Sequence, residues 1–99
     1  MIEPNDARNV KSLVRVAVEN ELKILKAGVA ITYRKLERLE KTYGMRSKQF
    51  YDKFKKGDVG DDFEYIRWAG EYETLQQLER DYRDLSGTEV KFYRKSKVF

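Results

Sequence analysis

The stretch "VENELKILKAGVAITYRKLERLEKTYG", residues 18–44, decides the fold. Val18, Leu22, Leu25, Val29, Leu36, Leu39 and Tyr43 recur at alternating steps of four and three, with Thr32 in the remaining slot. That spacing builds a helix whose one seam packs on another helix. Glu19–Lys23 and Glu37–Lys41 stand four apart with the acid first, the order that supports a helix. Gly44 is a natural stop.

The pattern extends toward the N-terminus. Between Asn5 and Tyr43 only Gly28 interrupts it, and the sole proline is Pro4. Asn5 or Asp6 can cap the start. The prediction is one helix over about residues 6–43, roughly 55 Å long at 1.5 Å per residue. "SLVRVAVE", residues 12–19, also alternates like a strand through Val14, Val16 and Val18. The surrounding helical period outweighs it.

Downstream, "SKQFYDKFKKG" runs from the cap-former Ser47 to Gly57 and predicts a short helix over 48–56, with Phe50, Tyr51 and Phe54 on one face. Gly57-Asp58 and Gly60-Asp61 are turn dipeptides. A third helix is predicted over 62–86, ended by Gly87. Its seam is Trp68, Glu71, Leu75, Leu78, Tyr82 and Leu85, widened by Tyr65, Ile66, Ala69 and Tyr72. The tail "TEVKFYRKSKVF", 88–99, is rich in β-formers and basic residues. It reads as a short strand without a partner in the chain, or as a frayed end. The fold class is therefore all-α. One domain over 1–99 forms a long–short–long helical hairpin with coiled-coil-like packing and a short C-terminal strand as an option.

Composition narrows the chemistry. A chain of 99 residues buries only about 60–65 % of its unfolded surface, so a partner can usefully complete its core. There is no cysteine and no histidine. That removes disulfides, His/Cys zinc sites and Ser-His or Cys-His nucleophile pairs. No apolar run reaches the ~18–20 residues of a membrane helix, and "MIEPNDARNV" has no signal-peptide core. A soluble, cytoplasmic protein is expected, with no cofactor. The charge of +4 is uneven: +3 over residues 1–44, −2 over 45–87 and +3 over 88–99. Such a distribution suits an acidic or mixed-charge partner, or nucleic acid.

Three features bear on function. Asp58, Asp61, Asp62 and Glu64 crowd the second turn. They read first as a turn and helix cap, with Asp61 or Asp62 as the N-cap and Glu64 three residues after Asp61, as in a capping box. A hard-metal site is the second reading, but the order of an EF-hand loop is missing. An acidic rim beside exposed Phe63, Tyr65 and Trp68, meeting a partner, is the third. Next, Leu13, Ala17, Ile24, Gly28 and Ile31 form a second apolar row on the first helix. It serves as a wide core face or as a surface for a second copy or another protein. Finally, Lys91, Arg94, Lys95 and Lys97 alternate with Phe92, Tyr93 and Phe99. That is a solvated tail, a protein dock or a single-strand nucleic-acid contact. All-helical chorismate mutases share the long–short–long plan. They work through inward basic residues, whereas Arg34, Lys35 and Arg38 fall between the apolar positions here. No catalytic residue is assigned.

Residues 39–79, "LEKTYGMRSKQFYDKFKKGDVGDDFEYIRWAGEYETLQQLE", carry a resemblance. The marks are Lys41, Tyr43, Gly44 and Met45; Ser47, Phe50 and Tyr51; Gly57, Gly60, Asp61, Asp62 and Phe63; Trp68 and Tyr72. They resemble a group of small archaeal and bacterial proteins taken to be antitoxins of type II toxin–antitoxin pairs. "VKSLVRVAVENELKILKAGVAIT" is similar too, so about 80 residues are covered. Arg46 and the basic tail depart from the usual form. The resemblance implies a non-enzymatic protein that neutralises a small cognate toxin through amphipathic helical surface. Tyr51, Phe54, Phe63, Trp68 and Tyr72 are then the expected partner-binding anchors, with Phe92, Tyr93 and Arg94 from the tail. The alternative is a helical dimerisation module or a nucleic-acid-binding module.

Overall fold

A computed structural model describes the backbone of residues 7–97 and the side chains of 9–87. Three helices follow one another: α1 (Ala7–Tyr43), α2 (Ser47–Lys55) and α3 (Phe63–Lys97). Helices α1 and α3 pack along each other as a hairpin, and α2 closes one end. The molecule is a rod of 60 × 23 × 21 Å.

Both tight turns rest on glycine. α1 ends where Gly44 takes φ +64° and donates its N–H to Glu40 O at 2.8 Å. α2 ends in a Schellman motif: Gly57 at φ +76° bonds Phe54 O at 3.1 Å, and Asp58 N–H bonds Lys53 O at 2.9 Å. The start of α2 differs from the expected cap. Arg46 is the N-cap residue and supplies no side-chain cap. The cap comes from α1, whose Glu40 Oε2 accepts the Ser47 N–H at 2.7 Å.

The first-helix seam points at α3 as its spacing predicts. Leu25, Thr32 and Leu36 are buried, and Val18, Leu22, Val29 and Leu39 are half-buried. Thr32 buries its hydroxyl by donating to Gly28 O at 2.8 Å. Core density concentrates at the closed end, where Leu36, Phe50, Trp68, Ala69 and Leu75 form one cluster. Trp68 is 1 % exposed. Phe50 stacks on it at 3.9 Å and Tyr43 covers it at 5.4 Å. Its Nε1 donates to Ser47 Oγ at 2.9 Å. The hydroxyl that the sequence offered as a helix cap is used to satisfy a buried indole instead.

Four expectations need correction. The third helix does not stop at Gly87: α3 continues to Lys97. Gly87 keeps a negative φ, so it is a helix-interior glycine and no turn forms there. The short C-terminal strand is therefore replaced by helix over 88–97, as local i→i−4 bonding needs no partner strand. Gly28 does not belong to the outer row. It faces α3, where a Cβ on it would lie 3.3 Å from Leu78 Cδ1. Ile66, placed on the apolar face of α3, is 50 % exposed.

Candidate functional site

The anchors expected from sequence separate into two groups. Trp68 is core, not rim. Phe54 is half-buried against Phe50, with ring centres 5.9 Å apart. Tyr51 and Tyr72 are half-buried and lean on one another at 5.0 Å, with Lys55 Nζ 5.6 Å above the Tyr51 ring. Only Phe63 of this set stands free, at 74 % exposure. Phe92, Tyr93 and Arg94 fall in the last turns of α3, and their side chains lie outside the described residues.

Three surfaces remain open. The first is the outer face of α1. Leu13 is 67 % exposed, Ile24 63 % and Ile31 50 %, joined by Val10 and Val16. Val10, Leu13, Ala17, Ile24, Ala27 and Ile31 keep a three–four spacing, with Asn20 as the one polar member, so this face is itself a heptad seam. α3 occupies the neighbouring seam and leaves this one uncovered. Val10 was not singled out in the sequence, and Val16 only in a strand-like alternation, although a count at steps of three and four would have found Val10.

The second is the α2–α3 turn. Asp62 caps α3, its carbonyl accepting Tyr65 and Ile66 N–H while Oδ1 takes the Glu64 N–H at 3.4 Å. Of the two expected cap residues, Asp61 and Asp62, it is Asp62 that caps the helix. Glu64 instead accepts a hydrogen bond from the Tyr43 hydroxyl, which together with desolvation pushes the Tyr43 pKa up to about 12. Asp58 and Asp61 are exposed. Among the described residues no group of three possible ligands is close enough to hold a metal ion.

The third surface is a groove of about 580 Å³ along the α1–α3 junction at the start of α2. Buried Leu36 and Leu75 form its floor, and Tyr33 and Tyr72 flank it. Arg46, Lys48, Arg80 and Arg83 line it, with Glu37, Glu40 and Glu79. Sequence reasoning missed these cations because they come from two helices and a turn. Glu40 is engaged by the Ser47 N–H and Glu79 by the Tyr33 hydroxyl at 3.4 Å. The Glu79 charge, its largest influence, raises the Tyr33 pKa, and burial raises that of Tyr72. Arg34, Lys35 and Arg38 are exposed, as read from the sequence, and Lys35 pairs with Glu71 across the helices at 3.4 Å.

No family model, curated protein or solved structure matches the chain. Among the described residues no helix is long and apolar enough to cross a membrane.

Proposed function

We propose that this chain is a non-enzymatic binding protein of the antitoxin type, which neutralises a small toxin protein by laying the outer face of α1 against it. One observation carries the reading: Leu13, Ile24 and Ile31 stand at 67 %, 63 % and 50 % exposure on one helix face. A regular apolar row of this kind on a small charged domain marks a docking surface. An amphipathic helix of the partner fits it, since helix pairs recognise one another through such spacing. The chemistry required is burial of apolar surface, which needs neither a nucleophile nor a metal. The resemblance that runs from Lys41, Tyr43, Gly44 and Met45 to Trp68 and Tyr72 supports the toxin as the partner class.

The test is affinity purification of the tagged chain from its native cells after nuclease treatment, with the mass of the eluted complex. A near-stoichiometric small protein is expected, whose toxicity on expression is relieved by this chain. Leu13→Lys, Ile24→Lys and Ile31→Lys together should leave the helical circular-dichroism signal intact and lose that protein. The proposal fails if only this chain elutes, or if the triple variant retains its companion undiminished.

A further inference from the structure

The groove and the α2–α3 turn have complementary chemistry. In the groove, the side chains of Arg46, Lys48 and Arg83 make no ion pair or hydrogen bond among the described residues, and that of Arg80 bonds only the neutral Gln77. Beneath them lies the apolar floor of Leu36 and Leu75. On the turn, Asp58 and Asp61 form no ion pair among the described residues. Beside them project Phe63, at 74 % exposure, and Ile66, at 50 %. One surface is a rim of four cations and three glutamates around an apolar floor. The other is an acidic rim around an apolar knob.

We propose that a second copy of this chain seats its acidic turn, residues 58–66, in the cationic groove of the first. The carboxylates of Asp58 and Asp61 meet the Arg80 and Arg83 side of the rim, and Phe63 covers the floor. Charge complementarity favours this occupant over a nucleic acid. Glu37, Glu40 and Glu79 stand among the four cations of the groove, so it offers mixed charge that two locally placed carboxylates can match on the Arg80 and Arg83 side, and not the continuous positive strip that a phosphate chain needs. Turn and groove share no residue: none of residues 58–66 lines the groove, and Glu64 borders a separate cleft with Lys35, Arg38 and Leu39. The contact is therefore heterologous, each copy offering its turn to one neighbour and its groove to another. The inference is independent of any toxin and uses neither Leu13, Ile24 nor Ile31.

Sedimentation velocity on the full chain tests it. At 0.1 M salt the sedimentation coefficient should rise with concentration. At 1 M salt, where the Debye length falls from about 10 Å to about 3 Å, the rise should largely vanish. Arg80→Glu with Arg83→Glu spoils the groove and keeps the turn. Asp58→Lys with Asp61→Lys spoils the turn and keeps the groove. Asp62 is left alone because it caps α3. Each variant alone should stay monomeric. An equal mixture should give a one-to-one dimer and nothing larger, because a single intact turn then meets a single intact groove. That recovery also shows that both variants are folded. Three results overturn the proposal: a wild-type chain that stays monomeric at all concentrations, association that persists in both variants, or folded variants whose mixture yields no dimer.

Discussion

Trp68 shows how one side chain can be legible in identity and illegible in role. Its place in the α3 seam follows from spacing. Whether the ring faces a partner or the chain's own core does not, because aromatic anchors and aromatic cores share a composition. The answer depends on α2, which swings Phe50 onto the indole at 3.9 Å, where Tyr43 also stacks at 5.4 Å. Ser47 then supplies the acceptor at 2.9 Å that makes a buried indole N–H affordable. Ser47→Ala should therefore cost about 1–3 kcal/mol, the range for orphaning a buried donor. Trp68→Ala should cost about 3–5 kcal/mol through cavity formation. Urea denaturation followed by circular dichroism measures both. As the chain has one tryptophan, the emission of the Ser47 variant should stay blue-shifted while its midpoint falls. An unchanged midpoint would mean that the Trp68–Ser47 bond contributes nothing to stability.

At the scale of the helices, periodicity locates elements well and glycine marks their ends unevenly. The first helix, expected over 6–43, spans Ala7–Tyr43, and the second, expected over 48–56, spans Ser47–Lys55. Gly44 and Gly57 both stop a helix because the chain reverses there and needs positive φ. Gly87 has the same chemistry but no turn to make, so α3 runs through it to Lys97. A glycine permits a stop; it does not impose one. The distinction can be measured. An added Cβ meets nothing within 4 Å at Gly70 or Gly87. Gly70→Ala and Gly87→Ala should each stabilise the protein by up to about 1 kcal/mol, the helix-propensity difference. At Gly28 the Leu78 side chain 3.3 Å away must give, so Gly28→Ala should gain little or lose. Gly44→Ala, forced to hold φ +64°, should lose about 1–2 kcal/mol. Thermal melts separate the four, at roughly 4–8 °C per kcal/mol for a domain of this size. A destabilising Gly87→Ala would reinstate Gly87 as a helix end.

Across the whole molecule, burial is lopsided. The cluster of Leu36, Phe50, Trp68, Ala69 and Leu75 sits where α2 closes the hairpin. Away from that end the core thins to Thr32 and Leu25, and every described side chain from residue 9 to 17 of α1 is exposed. A rod 60 Å long with its apolar contacts gathered near one end should not open as a single unit. The sequence hid this asymmetry because the open stretch is the richer in aliphatic residues, with Val10, Leu13, Val14, Val16 and Ala17 against Leu36 and Leu39 at the closed end. What differs is how many neighbours reach them. Hydrogen exchange read by mass spectrometry on the dilute chain should find amides of residues 9–17 exchanging about tenfold or more faster than those of 36–43, 50–54 and 65–75. Adding a partner that covers Leu13, Ala17 and Ile24 should slow the first group and leave the second unchanged, because only the first lies under the occupied face. Equal protection along α1 in the dilute chain would show that the open end is held as firmly as the closed one. The outer row of α1 would then be part of a rigid rod rather than a segment whose ordering is coupled to binding.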